Sequence, residues 1–261
     1  MGSLISEKYR KWEQICEQRF EALKSNEEEL NQLFMRQYGL NHIISSEVKE
    51  RTITVRKADL QREIKSLLSY AVGCFMGRYS LDYEGIAYAG GTWDSSRYVR
   101  IIPVADAIIP LGREDDFQND ILHLIIDFLR IVYGEDTLEQ NLEFIAAALG
   151  GTGTSKEIIR DYFLKEFYAD HCRIYRKCPI YWLFDAGRKN SFKALVYLHR
   201  YDQNTLQNLK INYICKIQQY DSIRLQNLTE TNQKKLSRQA ERLQNKIIEI
   251  ALYHEKIDTA I

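Results

Sequence analysis

Pro179-Ile-Tyr-Trp-Leu-Phe-Asp185 and Phe192-Lys-Ala-Leu-Val-Tyr-Leu-His-Arg200, joined by Ala186-Gly-Arg-Lys-Asn-Ser191, decide the fold of this chain. Both runs are rich in aromatic and branched residues and are bounded by turn formers, the pattern of a β-hairpin. Successive strand side chains point to opposite faces. Ile180, Trp182 and Phe184 therefore share one face of the first strand. In the second, Phe192, Ala194, Val196 and Leu198 share a face, with Lys193, Tyr197 and His199 opposite. The expectation is a hairpin with one core face, one amphipathic face and a basic tip.

Upstream the period lengthens to that of helices. Tyr9, Trp12, Cys16, Phe20, Leu23, Leu30 and Phe34 recur at steps of three and four, with a gap at Glu27, as one apolar stripe ending near Gly39. Leu60, Ile64, Leu67, Leu68, Ala71, Val72 and Phe75 mark a second helix. Between Gly77 and Leu111 the pattern breaks into pieces that read as short strands and turns: Gly85–Gly91, Tyr98–Pro103 and Ile108–Pro110. Helix resumes at about Asp116 to Tyr133, with Asp115, Asp116 and Asp120 suited to its positive end. Thr137-Leu-Glu-Gln140 and Thr154-Ser-Lys-Glu157 have the form of capping boxes.

All 13 Gly and all three Pro lie at or before Gly187. Beyond Asp202 the chain reads as helix to its end. Leu206, Leu209, Tyr213, Ile217, Tyr220 and Ile223 form one seam; Leu236, Ala240, Leu243, Ile247, Ile250, His254 and Ile257 form a heptad seam. The polar Thr229–Lys235 between them is either the loop of a helical hairpin, the reading favoured, or the exposed face of one helix. Packing within the chain is favoured over a partner-binding seam. The fold class is α+β and predominantly α-helical, with a small sheet packed among helices and heptad-patterned helices after it. Residues 1–202 are expected to form a mixed α+β domain and 203–261 a helical hairpin or coiled-coil extension.

The 261 residues suffice for a core without disulfide or metal staples, and 45% apolar with 28% charged residues is the balance of a globular protein. No apolar run suits a membrane span, no secretory leader opens the sequence, and five cysteines without a C-x-x-C pair read as reduced thiols. The expected location is the cytoplasm. Charges balance at 36 of each sign, yet Arg113–Asp170 holds five basic and 13 acidic residues, and His171–Asp202 seven basic and two acidic. A neutral total thus leaves room for an anionic partner, because the local field governs association.

Catalytic signatures are missing. There is no phosphate loop, no G-x-S-x-G elbow and no H-E-x-x-H. Gly150-Gly-Thr-Gly153 follows a helix rather than a strand and reads as a helix cap. His171, Cys172 and Cys178 lack a fourth ligand at zinc spacing and read as buried cysteines beside a helix-end histidine. Glu63-Ile-Lys65, a nuclease-like pair on spacing alone, lies inside a helical pattern. The basic hairpin is the suggestive feature. Arg188, Lys189 and Asn190 at the tip, Lys193, His199 and Arg200 nearby, and Arg173, Arg176 and Lys177 leading in have the chemistry to meet phosphates or base edges. Tyr181, Trp182 and Tyr197 could stack on bases, although Trp182 on the apolar face reads as core. A solvated hairpin tip with no ligand is an equal reading of the same residues.

Longer strings resemble a known family. Glu27–Asn31, Thr54–Leu60, Tyr70–Asp82 and Tyr88–Gly91 resemble stretches of the PglX-type adenine-specific DNA methyltransferases of BREX (bacteriophage exclusion) systems. So, most strongly, do Tyr162–Cys172, Pro179–Asp185 and Phe192–Asp202. The resemblance runs from about Trp12 to Ile257 and concerns the region downstream of the family's catalytic domain. It implies a role in choosing the DNA target and positioning the adenine, with double-stranded DNA, a catalytic methyltransferase domain and other BREX proteins as partners. Residues 1–202 would then be the target-recognition part. S-adenosylmethionine is implied for that catalytic domain, and no cofactor for this chain. An adenine N6 methyltransferase needs a Gly-rich methyl-donor loop and an Asn-Pro-Pro-Tyr-type motif to hold the flipped base. Neither is in this sequence, where no two prolines are adjacent. Ser191 and Cys178 stand where the family pattern has Gly and Arg, implying a different turn and one fewer cation. The competing expectation is a protein-interaction module that docks other BREX components or a phage-encoded inhibitor.

Overall fold

The computed structural model describes residues 2–114, 116–229 and 234–260. Three strands, β1 (Ile108–Pro110), β2 (Tyr181–Asp185) and β3 (Lys193–Tyr197), form an antiparallel sheet in the order β1-β3-β2. The hairpin is the β2–β3 pair, with Trp182 opposite Val196 and Asp185 opposite Lys193. Helices surround it: α1 (Ile5–Gln37), α2 (Leu60–Met76), α3 (Ile121–Tyr133), α4 (Leu138–Leu149), α5 (Ser155–Lys165) and α6 (Phe167–Ile174) precede the hairpin. After it come α7 (Thr205–Leu209), α8 (Cys215–Thr229) and α9 (Lys234–Asp258). The α+β, mainly helical class is the observed one.

The sheet is covered on both faces, not on one. Ala194, Leu195, Val196 and Tyr197 are all fully buried. Leu195, Tyr197, Ile109 and Tyr181 join a large core with α2 to α6, whereas Ala194, Val196, Ile108 and Phe192 join a second core. That second core is completed by Leu209, Tyr213, Ile214, Ile217, Ile250 and Ile257. The face expected to be amphipathic is thus apolar at Leu195 and Tyr197, and a central strand buried on both sides reads as a continuous apolar run. At edge strand β2 the expectation reverses. Trp182 is 46% exposed, and Tyr181 is buried in its place.

Local side-chain signals open α2, α3 and α5. Asp59 caps α2 by accepting the Arg62 amide at 2.7 Å, and Thr154 with Glu157 forms the expected box at α5. Asp120 caps α3 through the Leu122 amide at 2.9 Å and, almost fully buried, pairs with Arg160 at 3.0 Å. Asp116 is instead paired with Arg224, and Asp115 lies outside the described residues. Thr137 does not cap α4: it ends a short 3-10 turn and its hydroxyl donates to the Tyr133 carbonyl at 3.0 Å. Of the three short strands expected between Gly77 and Leu111, one forms. The stretches 85–91 and 98–103 are loop, tied by side chains such as Arg97 on the Ala87 carbonyl at 2.8 Å.

The long α1 stripe is buried at Cys16 and Phe20, but Trp12, Leu30 and Phe34 are exposed. At the other end, α7, a π-helical turn (Lys210–Ile214) and α8 follow one another without a break. The π turn shifts the seam's phase, so Leu209, Tyr213, Ile214 and Ile217 are buried while Ile223 is exposed. α9 runs antiparallel to α8: Lys210 pairs with Asp258, and His254 Nδ1 lies 3.1 Å from the Gln218 side-chain oxygen. The two helices form the expected hairpin. Residues 230–233 between them lie outside the described residues, as does the side chain of the seam residue Leu236. Among the described residues no helix is long and apolar enough to cross a membrane.

Candidate nucleic-acid interface

Strand pairing divides the sequence's candidate residues between two ends of one hairpin. At the tip end the Ala186 amide donates to the Phe192 carbonyl at 3.0 Å; at the open end the Leu198 amide donates to the Ile180 carbonyl at 3.0 Å. Four residue steps of strand separate Tyr181 from Asp185, roughly 13 Å at about 3.3 Å per residue. Arg188, Lys189 and Asn190 occupy the tip. Arg173, Arg176, Lys177, His199 and Arg200 cluster toward the open end, and Lys193 sits within the sheet.

The tip residues Arg188, Lys189 and Asn190 are exposed, and no salt bridge ties either cation among the described residues. Their loop is fastened from below. Glu249 of α9 accepts the Lys189 amide at 2.9 Å, the Ser191 amide at 3.3 Å and the Ser191 hydroxyl at 2.7 Å. Burial pushes the Glu249 carboxyl up, but these donors outweigh it and hold it below the ordinary value.

Lys193 and Arg200 are spent inside the protein. Lys193 bridges the Asp185 carboxylate at 3.2 Å and the Leu164 carbonyl at 3.3 Å. Arg200 donates to the carbonyls of Met76, Val104 and Ala105 at 3.3, 2.8 and 2.8 Å and lies over the Trp93 ring. It thereby pins the 77–107 loop to the sheet. Arg173 is well exposed, with one ion pair to Asp170 at 3.0 Å, and Arg176 and Lys177 are exposed in a left-handed turn after α6.

His171 aligns the start of β2. Its Nε2 accepts the amides of Ile180 and Tyr181 at 3.1 and 3.3 Å, so Nδ1 carries the proton. Burial, helped by the Arg78 charge, pushes its pKa down to about 4. Among the described residues no group of three His, Cys, Asp or Glu side chains is placed to hold a metal ion, and Cys178 is exposed where the sequence reading has it buried.

Two features here escape sequence reasoning. Arg78 donates to the Tyr197 hydroxyl at 3.5 Å, its buried Nε has no hydrogen-bond partner among the described residues, and its charge, after burial, lowers the pKa of His199. Its partner Tyr197 is 119 residues away in sequence, and no local signal reveals the pairing. Trp182 and Tyr201 form an exposed aromatic pair with ring centroids 6.1 Å apart. Exposed cations are the groups that meet phosphates, and exposed rings the groups that stack on bases.

No family model matches the chain. Among curated proteins, the adenine-specific methyltransferase PglX of Lacticaseibacillus casei (strain Zhang) is 41% identical over 261 aligned positions, covering 95% of this chain and 22% of that protein. The adenine-specific methyltransferase BrxX of Escherichia coli O9:H4 (strain HS) is 41% identical over 165 positions, covering 58% of this chain and 14% of its own length. The chain is therefore homologous to a segment of the adenine-specific methyltransferases PglX and BrxX, and spans about a fifth of the first.

Proposed function

We propose that this chain is the target-recognition part of an adenine-specific N6 DNA methyltransferase of a BREX anti-phage system. It contacts duplex DNA and positions it for a catalytic domain that carries S-adenosylmethionine and the base-flipping motif. One observation carries the reading: the segment homologous to PglX displays exposed cations at both ends of a hairpin held rigid between two cores. Arg188, Lys189 and Asn190 form one contact group. Arg173, Arg176, Lys177 and His199, with the Trp182–Tyr201 pair, form the other.

The test is anisotropy of a labelled duplex titrated with the chain at several salt concentrations. Affinity should fall linearly in log salt, with about 0.9 in slope per phosphate neutralised. The double variant Arg188→Glu/Lys189→Glu should bind at least tenfold more weakly at low salt, at unchanged melting temperature. Affinity equal to wild type in that variant removes the tip from the interface.

A second reading, a module that docks other BREX components or a phage inhibitor, is favoured by the far end of α1. Leu30, Leu33, Phe34, Tyr38, Ile43 and Ile44 are all more than half exposed there, an unusual density of apolar surface for a protein without a partner. Coelution with purified BREX proteins, lost on Leu33→Asp/Phe34→Asp, together with no DNA binding at low salt, would establish it over the first.

A further inference from the structure

The inference rests on the DNA-recognition reading and concerns how the tip is held. We propose that Glu249 is a positioning residue for DNA recognition: its carboxylate gathers the Lys189 and Ser191 amides and fixes the loop in the shape that displays Arg188 and Lys189.

A six-residue connection is too long to be shaped by a two-residue turn, and this one takes two left-handed residues, Gly187 at φ +140° and Asn190 at φ +53°. Within the loop, the Asn190 amide reaches the Gly187 carbonyl at 3.2 Å. The Lys189 and Ser191 amides converge on Glu249, and neighbouring amides that point the same way form a concavity suited to an anion. The protein supplies that anion itself. The φ of +140° at Gly187 already favours glycine, and a Cβ there would also lie 2.8 Å from Glu249 Oε1 and push the carboxylate aside.

Keeping a carboxylate under two exposed cations is costly for a surface that attracts DNA by charge alone. The sign of a mutation therefore separates the two roles. If Glu249 is only an acidic neighbour, removing it strengthens duplex binding. If it positions the tip, removing it weakens binding although the net charge becomes more positive.

The experiment uses the full chain and a labelled duplex. Glu249→Ala and Gly187→Ala, which break the same contact from opposite sides, should each bind about tenfold more weakly, with a log-salt slope shallower by about one to two as tip contacts are lost. Glu249→Gln should fall between Glu249→Ala and wild type. Glu255→Ala, the same charge change at an exposed site on α9, should bind as tightly as wild type or tighter. Without DNA, amide exchange at Lys189 and Ser191 should quicken in both clamp variants while exchange in β3 stays slow. Wild-type binding combined with equal or tighter binding by Glu249→Ala at an unchanged slope overturns the proposal alone. Unaltered Lys189 and Ser191 exchange also overturns it. Absence of wild-type binding at every salt overturns the DNA-recognition reading, and the positioning role with it.

Discussion

The two ends of the hairpin carry similar basic residues and use them differently. At the tip, backbone amides are held by Glu249 while Arg188 and Lys189 remain without a salt bridge among the described residues. At the open end, Arg200 is drawn under the 77–107 loop and shares its guanidinium among three carbonyls. The difference follows from the neighbours. The tip's amides are taken up by a carboxylate on α9, whereas the open end meets a long loop whose carbonyls lack partners in regular structure and need donors. A cation in the sequence is therefore a donor looking for acceptors, and tertiary packing decides whether those belong to the protein or to a ligand.

The largest expected effect comes from cutting the open end's internal donor. Arg200→Ala leaves the carbonyls of Met76, Val104 and Ala105 short of a charged partner. Hydrogen bonds to charged groups contribute about 1.5–3 kcal/mol each, and those acceptors regain water in part, so a loss of about 3 kcal/mol is expected. Denaturant unfolding measures it. The tip variant Arg188→Glu/Lys189→Glu should unfold at wild-type denaturant concentration, and a comparable loss there would erase the contrast between the ends.

Legibility in the sequence divides along the same line. Periodicity, capping residues and the aromatic hairpin reveal the helices, the β2–β3 pairing and the class, because those signals lie within a few residues of what they control. Trp182 defeats the expectation because alternation says which residues share a face, but not which face lies under the next element. The double burial of β3 depends on α7 to α9 lying across it, and that packing is spread over residues 206–257. Lys193 and Arg200 are indistinguishable from contact residues in the sequence for the same reason. Thr137 matches a capping box, yet it ends a 3-10 turn and its hydroxyl oxygen accepts the Asn141 side-chain amide at 3.2 Å instead of a backbone N–H of α4.

His171 sharpens the comparison through pH. Its folded value of about 4 lies below the ordinary 6.5, so between these the unfolded chain binds a proton that the folded chain does not. The stability that depends on neutral His171 is complete above pH 6.5 and is lost as pH falls toward 4, at up to about 1.4 kcal/mol per unit. Denaturation between about pH 7 and 5 should show that slope in wild type and a flatter one in His171→Gln. Amide exchange at Ile180 and Tyr181, whose N–H groups His171 accepts, should quicken before exchange at Lys189 does. Simultaneous loosening of both ends would mean that the hairpin responds as one unit.

The smallest expected effect tests whether the open end contributes to binding at all. Trp182 is nearly half exposed on edge strand β2, packed edge-on against Tyr201. An exposed ring adds little to folding, so Trp182→Ala should shift the melting temperature by no more than a degree or two. Stacking of a base on an aromatic side chain contributes about 1–3 kcal/mol, and a duplex with intact pairing offers its bases less freely than a single strand does. About 1 kcal/mol, or about fivefold in Kd, is therefore expected for a duplex, with a larger loss for one carrying an unpaired base. The salt slope should stay at the wild-type value, because no phosphate contact is removed. A weakened affinity at constant slope would assign Trp182 to base contacts, apart from the cations around it. Unchanged affinity for both duplexes would remove Trp182 from the interface.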